Sequence, residues 1–393
     1  MVAVTGLGVI SSIGNSIEEN RKALIQGISG LSSLELFETK YAEQLKFGEI
    51  KMFNSELIQK MARTDKKITR TTLLALHAAL ECIEKSGLTL QELQSEDTAL
   101  VIGNTVGGMC LTDELYQDSN SKSNGSPYVT EYDCGAVTLY LQQYFGIKGI
   151  CNTINTACSS SSNAIMYGAR LIENGFAKRA IVGGVDSLSK FTINGFNSLG
   201  ILTGENCKPF DMDRSGLNLG EGAGFLILEK SEDILEKNIY AKLTGYCNSN
   251  DAFHPSSLSD DGQGPALAML GALKKAEIKP HHIGYINAHG TGTQNNDEVE
   301  SKAMLRVFDK VPDFASTKSK IGHTLGGSAA IEAVFTVMAL YYQELYPSLG
   351  FTSPIENTGL TPLLVYKKHE FEHAMANSFG FGGNCSSLVF SKN

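Results

Sequence analysis

The chain has no excess of basic residues: 33 lysines and arginines face 42 aspartates and glutamates, which gives a net charge of -9. This balance disfavours non-specific nucleic-acid binding, which depends on neutralising phosphates with basic side chains. The eight cysteines form neither a CxxC pair nor a compact framework. They indicate reduced, buried thiols and exclude a small disulfide-stabilised scaffold.

Long hydrophobic runs are also missing. The N-terminal apolar segment is short, interrupted by glycine and without basic residues before it, so we expect a strand rather than a signal peptide. The most apolar later stretch, residues 329–342, contains Glu332 and is shorter than the roughly 20 residues that span a bilayer. We therefore expect no membrane insertion and a cytoplasmic location.

Short β-branched runs alternate with longer helical patterns, which predicts an α/β fold with mostly buried strands. The predicted strands are residues 2–6, 99–103, 180–185, 224–229, 283–287, 374–378 and 387–390. The predicted helices are residues 69–86, 160–173, 264–276, 297–308 and 328–344. A charged stretch near 230–238 divides the chain into predicted halves of 1–234 and 235–393.

Cys158 is the first candidate for a catalytic residue. It lies in the segment NTACSSS at 155–161, between a β-like run and a predicted helix that opens with serines 159–162. We expect these serines to cap the first-turn amides, and the positive end of the helix to favour the nucleophilic thiolate. The alternative is a buried structural cysteine, which is our interpretation of the other seven.

Two histidines follow in glycine-rich segments, His289 in NAHGTGT and His323 in KSKIGHTLGG, with Lys318 five residues before the second. One cysteine, two histidines and one lysine can supply a nucleophile, carbonyl polarisers and a positive charge for a developing enolate. This set suits carbon–carbon bond formation on thioesters. Zinc binding is the alternative, but the flanking glycines and threonines offer no fourth ligand.

The order of these motifs resembles the β-ketoacyl-[acyl-carrier-protein] synthases, the elongating condensing enzymes of type II fatty-acid and polyketide synthesis. Further matching segments are residues 2–9, 103–108, 209–216, 220–224 and 377–383. The resemblance implies a thiolase-like fold, with two pseudo-repeated halves in α-β-α-β-α layers. It also implies no metal or organic cofactor, because acyl groups arrive on the phosphopantetheine of an acyl carrier protein. The implied assembly is a homodimer, or a heterodimer with a chain-length-factor paralogue.

The resemblance also implies catalytic roles. Cys158 would take the acyl group, while His289 and His323 would act as neutral imidazoles whose Nε2 protons stabilise the enolate formed as CO2 leaves. Lys318 would tune or orient His323, with Glu332 as its ionic or hydrogen-bonding partner. Lys320, in contrast, is predicted to be a solvated loop lysine.

Substrate contacts follow from the same resemblance. Phe381, on a glycine-rich segment, would act as a gate, and its backbone N–H would form the oxyanion hole with that of Cys158. Thr291 and Thr293 would contact the malonyl thioester or pantetheine, and Phe379 would line the substrate site. Val106 and Met109, together with Cys110 and partner residues, would line the acyl pocket.

An acidic carrier protein would need a basic docking site. The densest cluster, named the basic docking cluster below, is Lys60, Arg63, Lys66, Lys67 and Arg70. A solvated helix start is the equally weighted alternative. The loop at 204–208 is shorter than in the family, where a second docking contact is expected.

The predicted reaction is decarboxylative condensation of malonyl-acyl-carrier-protein with an acyl group on Cys158, in fatty-acid elongation. A ketosynthase of an aryl-polyene, flexirubin-type or other type II polyketide pathway, paired with a chain-length factor, is the alternative. The serine-rich turn, the short 204–208 loop and residues 383–386 depart from housekeeping enzymes and favour it. A silent chain-length factor would lack Cys158, and a thiolase would need a second catalytic cysteine, for which Cys385 has the wrong context. A non-catalytic scaffold would bind the carrier without acylation of Cys158.

Overall fold

The computed structural model describes residues 1–59, 68–126, 128–234 and 237–393. Its strands are β1 (Val2–Ile10), β2 (Phe47–Gly48), β3 (Thr98–Gly103), β4 (Cys151–Ile154), β5 (Arg179–Asp186), β6 (Leu219–Gly220), β7 (Gly222–Lys230), β8 (Ala241–Asn250), β9 (Ile283–Asn287), β10 (Asp313–Ala315), β11 (Glu344–Leu345), β12 (Lys367–Lys368), β13 (His373–Phe379) and β14 (Asn384–Ser391). Its helices are α1 (Ile17–Gln26), α2 (Asn54–Gln59), α3 (Arg70–Ser86), α4 (Leu90–Leu93), α5 (Thr112–Ser121), α6 (Val129–Tyr132), α7 (Gly135–Phe145), α8 (Ser160–Glu173), α9 (Lys190–Ser198), α10 (Gln263–Ala276), α11 (Gln294–Val307), α12 (Lys318–Ile321) and α13 (Ser328–Tyr342).

Ten strands form one mixed sheet in the order β10-β9-β13-β14-β8-β1-β7-β5-β3-β4. Each half of the chain contributes five neighbouring strands, and the two sets have the same arrangement. In β4-β3-β5-β7-β1 and in β10-β9-β13-β14-β8, the first three strands pair in parallel and the remaining pairs are antiparallel. The sets meet where β1 pairs with β8. This duplicated topology confirms the predicted two-half α/β fold.

The predicted boundary between residues 234 and 235 lies between β7 and β8. Residues 235 and 236 are outside the described ranges. The boundary therefore stays a prediction, although β7 belongs to the first set of five strands and β8 to the second.

Helices α8 and α13 form the middle layer of the protein. They contact each other and strands of both halves, whereas α3 packs on β1 and β7, and α10 packs on β8 and β14. The segment Leu325–Tyr342 is long and apolar enough to cross a membrane, but 89% of it is buried inside the protein. Its composition is therefore that of a core helix, because both halves of the sheet cover it.

Glycines in β3 and β5 allow α8 to approach the sheet closely. A Cβ on Gly103 would lie 2.3 Å from the backbone nitrogen of Ser161, and one on Gly184 would lie 2.4 Å from the Cβ of Ser161. Atoms at such distances overlap, so side chains at these positions would displace the helix. The close approach places the start of α8, and the preceding Cys158, at the carboxyl ends of both strands.

Gly103→Ala should destabilise the fold, because the added methyl group overlaps the main chain of α8. We expect a loss of about 1–3 kcal/mol in the free energy of unfolding, measured by urea denaturation. Gly195→Ala is the matched control, since a Cβ there meets nothing within 4 Å. In the interior of α9 this change should be neutral or stabilise by roughly 0.5–1 kcal/mol. Equal stability of the two variants would contradict the close approach.

Candidate active site

Cys158 lies on a tight turn between β4 and α8. The preceding Ala157 has a φ of 53°, in the left-handed region that is uncommon for residues other than glycine. Ser160 holds the turn, because its Oγ accepts the backbone N–H of Thr156 at 2.9 Å and donates to the carbonyl oxygen of Ala157 at 2.5 Å. The hydroxyl of Ser378 donates to the carbonyl oxygen of Cys158 at 2.9 Å. These bonds fix the backbone of Cys158.

The serines after Cys158 do not cap their own helix, which corrects our prediction. Ser159 precedes α8 and makes no side-chain cap bond. The hydroxyl of Ser161 instead accepts the backbone N–H of Ala330, at 2.8 Å, in the first turn of α13. Ser161 therefore joins the start of α8 to the start of α13.

An asparagine cluster supports the same turn. The side-chain oxygen of Asn384 accepts bonds from the hydroxyl of Ser159 at 2.6 Å and from the amides of Asn163 and Asn248, both at 2.8 Å. Asn384 directly follows the segment that carries Phe381. One residue thus anchors both the Cys158 turn and the Phe381 segment, a connection that sequence reasoning missed.

The structure brings Cys158, His289 and His323 together. The sulfur atom and the ligand nitrogens of the two imidazoles all lie within 4.8 Å of one another. The imidazole rings are nearly perpendicular, with centroids 5.4 Å apart. All three side chains are buried. Three residues far apart in the sequence therefore form one compact cluster, as predicted.

Hydrogen bonds assign both histidines as neutral imidazoles with the proton on Nε2. Nδ1 of His323 accepts the backbone N–H of Leu325 at 3.0 Å, and Nδ1 of His289 accepts from Nζ of Lys318 at 3.1 Å. Burial, and secondly the positive charge of Lys318, hold the pKa of both imidazoles well below its ordinary value. Each ring therefore offers Nε2–H as a hydrogen-bond donor.

Lys318 binds His289 rather than His323, which corrects the predicted orientation. Its ammonium group donates to Oε1 of Glu332 at 2.5 Å, to the carbonyl oxygen of His289 at 2.7 Å and to Nδ1 of the same residue. Glu332 is thus the partner that we expected. His323 receives only the electrostatic effect of the lysine.

The prediction of a solvated Lys320 is wrong. This side chain is fully buried, and its ammonium group donates to the carbonyl oxygen of Pro347. Burial lowers the pKa of Lys320 to about 7. The residue belongs to the packing behind the site.

The surroundings of Cys158 favour the neutral thiol, in contrast to our expectation of a thiolate. Burial raises the pKa of Cys158 above its ordinary value. The backbone N–H of Phe381 and the charge of Lys318 act in the opposite direction but do not overcome burial. The N–H of Phe381 is therefore directed at the sulfur, where charge develops when the thiol reacts.

Two acidic residues on α11 hold the His289 turn, and sequence reasoning missed both. The carboxylate of Glu300 accepts the backbone N–H groups of His289 at 2.9 Å and Gly290 at 2.8 Å. Asp297 accepts the backbone N–H of Thr291 at 2.9 Å. Burial raises the pKa of Glu300 to about 7. The available signal was a pair of acids three residues apart in the helix after a glycine-rich turn.

A cavity of about 360 Å³ opens onto the cluster. Its walls include Cys158, His289, His323, Thr291, Thr293, Phe379, Phe381, Phe196, Leu199, Ile201 and Leu258. Thr291, Thr293 and Phe379 therefore line the cavity, and their contacts with substrate stay a prediction. The ring of Phe381 stacks on that of Phe196, with centroids 5.9 Å apart.

Val106 and Met109 do not line this cavity in the single chain. Val106 is buried in an apolar cluster with Leu188 and Ile193. Met109 packs against that cluster and, with Cys110, lines a separate cavity of about 530 Å³. The predicted acyl pocket also includes residues of a partner chain, so the roles of Val106, Met109 and Cys110 in it stay a prediction.

Four members of the basic docking cluster, Lys60, Arg63, Lys66 and Lys67, lie outside the described residues. The fifth, Arg70, is buried, and its guanidinium group binds the carboxylate of Glu221 at 2.5 Å. Arg70 is therefore a structural residue and not part of a docking surface.

By spacing alone, Cys158, His289 and His323 could hold a metal ion. The ammonium group of Lys318 lies 3.1 Å from Nδ1 of His289 and would repel a cation. Two N–H donors beside a fixed positive charge suit a developing anion better than they suit a metal cation.

Comparisons with known proteins agree on one family. A family model described as the N-terminal domain of beta-ketoacyl synthase matches residues 1–234, and one described as its C-terminal domain matches residues 240–352. The 3-oxoacyl-[acyl-carrier-protein] synthase 2 of Vibrio cholerae is 35% identical, covering 100% of this chain and 99% of that protein. The protein of the same name from Synechocystis is 34% identical, covering 100% and 98%.

Solved structures give the same result. The ishigamide ketosynthase/chain length factor superposes with a TM-score of 0.94 at 28% identity, covering 100% of this chain and 99% of that one. The ketosynthase ApeO of Xenorhabdus doucetiae, solved in complex with its chain length factor ApeC, superposes with a TM-score of 0.86 at 30% identity, covering 100% and 98%.

Lys318→Met should destabilise the protein, because it leaves the buried carboxylate of Glu332 without its cation. Breaking a buried pair costs about 3–5 kcal/mol. The double variant Lys318→Met, Glu332→Leu removes both charges and should regain most of the lost stability in urea unfolding. In both variants the pKa of His289, followed by NMR, should rise, since a positive charge has been removed. An unchanged pKa of His289 would contradict the assigned contact.

Proposed function

Because the chain belongs to the β-ketoacyl synthase family of acyltransferases, we propose that it condenses malonyl-acyl-carrier-protein with an acyl group on Cys158, with loss of CO2. This function rests on one observation: the buried thiol of Cys158 and the Nε2–H donors of His289 and His323 lie together at the same cavity. One group can become covalently acylated, and the other two can stabilise an enolate.

The first half-reaction transfers the acyl group from the carrier to Cys158. The sulfur attacks the thioester carbonyl, the carbon–sulfur bond to phosphopantetheine breaks, and the thiol proton of Cys158 ends on the departing pantetheine sulfur. The backbone N–H groups of Cys158 and Phe381 stabilise the tetrahedral oxyanion. Because burial raises the pKa of Cys158, the proposed step includes the transfer of the thiol proton.

The second half-reaction makes the carbon–carbon bond. His289 and His323 donate their Nε2 protons in hydrogen bonds to the malonyl thioester oxygen, the bond to the carboxylate breaks, and CO2 leaves its electron pair on the enolate. The enolate carbon attacks the acyl group on Cys158, and the thiolate that leaves takes a proton from water. Lys318 stabilises the anionic stages through its charge. The proposed sequence uses no metal and no organic cofactor.

Carrier, assembly and location complete the proposal. The hydroxyls of Thr291 and Thr293, 2.9 Å apart on the cavity wall, are suited to contact the malonyl thioester or pantetheine. Phe381 would gate the cavity by leaving its stack on Phe196. A cytoplasmic location suits the eight free cysteines. The assembly is a homodimer or a heterodimer with a chain-length factor, the pairing named for two solved neighbours.

Cys158→Ala should abolish transfer of a labelled acyl group from the carrier. His289→Ala and His323→Ala should retain acylation but decarboxylate malonyl-carrier roughly 10²–10³-fold more slowly, as expected for a lost oxyanion donor. Mass spectrometry of the acyl-enzyme and release of labelled CO2 measure the two steps. His369→Ala, at an exposed position, is the matched control. Acyl uptake by Cys158→Ala, or parent-like decarboxylation by either histidine variant, would refute the assignments.

A second pathway is supported by the structural neighbours. The ishigamide neighbour, which superposes with a TM-score of 0.94, is a ketosynthase paired with a chain length factor. The relatives at 34–35% identity are instead named 3-oxoacyl-[acyl-carrier-protein] synthases. A specialised polyene ketosynthase, with a partner chain that completes the acyl pocket, is therefore the second candidate. Fatty-acid elongation is the first.

Reconstituted elongation separates the two pathways. In fatty-acid elongation, the purified protein alone should extend saturated medium- and long-chain acyl-carriers. In the polyene pathway, it should need a partner chain and prefer conjugated or aryl primers. Extension of saturated chains without a partner and without preference for conjugated primers would exclude the second pathway. Dependence on a partner chain would exclude the first.

A further inference from the structure

Asp186 is a fully buried acid at the end of β5 that the proposed reaction does not use. Its Oδ1 accepts the side-chain amide of Asn104 at 2.8 Å and the backbone N–H groups of Thr105 and Val106, both at 3.0 Å. Its Oδ2 accepts the hydroxyl of Thr105 and the backbone N–H of Gly326, the latter at 2.6 Å. All five donors are uncharged, so the carboxylate is satisfied entirely by fixed dipoles.

One of these donors leads directly to His323. Gly326 follows Leu325, whose backbone N–H binds Nδ1 of His323 at 3.0 Å. Leu325 has a φ of 51°, a left-handed conformation that is unusual for a leucine and persists only when the surroundings hold it. The bond between Asp186 and Gly326 is adjacent to this strained residue.

The close packing at Gly326 shows that the contact is tight. A Cβ there would lie 2.7 Å from Cγ2 of Thr105 and 2.9 Å from Oδ2 of Asp186. A side chain at 326 would therefore push the turn away from the carboxylate. Glycine at this position allows the backbone amide of the turn to reach Asp186.

We propose that Asp186 is a positioning residue for His323. By holding the amide of Gly326, it keeps Leu325 in its strained conformation, and the N–H of Leu325 then keeps the imidazole proton on Nε2, facing the cavity. This inference deepens the proposed function, on which it rests, because it explains how one of the two enolate-stabilising donors is oriented. The end of β5 thereby controls the second half-reaction without touching the substrate.

Asp186→Asn is the informative substitution because it keeps the shape of the side chain but replaces one of its two acceptor oxygens with an NH2 donor. All five groups around the carboxylate can donate, and the new side-chain amide would have to direct its NH2 group at some of them. If the NH2 group takes the Oδ2 position, it faces the N–H of Gly326, and the turn loses its anchor. Thr105→Val is the matched control, since it removes a donor to the same oxygen but leaves the Gly326 contact.

In Asp186→Asn, acylation of Cys158 should stay within about twofold of the parent. Decarboxylation of malonyl-carrier should fall roughly 10–100-fold in kcat with KM little changed, the range seen when partners that orient metal-bound histidines are removed. The ¹⁵N signals of His323, in protein labelled at histidine, should show loss of the single Nε2–H tautomer. Thr105→Val should resemble the parent in all three measurements.

Parent-like decarboxylation in Asp186→Asn, or equal losses in acylation and decarboxylation, would overturn the proposal. If Asp186→Asn does not fold, Gly326→Ala moves the turn while the other four bonds of Asp186 remain, and the same three outcomes apply. The NMR readout separates this inference from the proposed function. If the parent neither acylates nor decarboxylates, the function fails, whereas an unchanged His323 tautomer in the variants refutes the role of Asp186.

Discussion

The buried ion pair between Lys318 and Glu332 is the interaction on which the site depends. Both groups are almost completely inaccessible to water, so each needs the opposite charge 2.5 Å away to offset the cost of its burial. The lysine is on α12, the glutamate is on the central helix α13, and the bonds of the ammonium group to His289 extend the contact to the turn after β9. A single cation thereby fixes the distance between the two segments that carry His289 and His323.

Buried carboxylates play a parallel part in the turns themselves. Glu300 and Asp297 accept the backbone amides of the His289 turn, and Asp186 accepts those of the β3 loop and of the turn after His323. Turns at the end of a sheet leave N–H groups that no strand or helix satisfies. An acid from a neighbouring element satisfies several of them at once, which makes the turn rigid. Because burial makes such acids expensive to ionise, each is surrounded by several donors.

Two kinds of feature could be predicted from the sequence: helices and strands with a regular apolar pattern, and residues of a chemically reactive type. The predicted strands and helices are all present within a few residues, because apolar periodicity decides their formation. The strand β8 was missed because it is rich in polar residues, among them Lys242, Thr244, Asn248 and Ser249. Its place beside β1 and β14 is decided by pairing across the whole sheet, which no local pattern records.

The site residues also divide into those that the local sequence predicts and those that depend on contacts between distant segments. Cys158, His289 and His323 could be predicted because a cysteine before a run of serines and two histidines in glycine-rich segments are unusual. The histidine that Lys318 contacts could not be predicted, since its position five residues before His323 suggested that residue, whereas the parallel strands β9 and β10 bring His289 within 3.1 Å of its ammonium group. Asp186 could not be recognised from the sequence, because its proposed role depends on a contact with Gly326, which lies 140 residues further along the chain.

The protonation states show why the cluster favours the reacting state over the resting one. Burial raises the pKa of the Cys158 thiol and lowers that of both imidazoles, which favours the neutral forms, and the charges of Lys318 and Glu332 compensate each other. Negative charge appears beside the two Nε2–H groups only when a bond to sulfur or to CO2 breaks. Donors that are already fixed in place need no reorganisation at that moment, and their bonds strengthen as the charge grows. In the proposed reaction, the arrangement would therefore stabilise the enolate more than the bound thioester, which is the condition for catalysis rather than for binding alone.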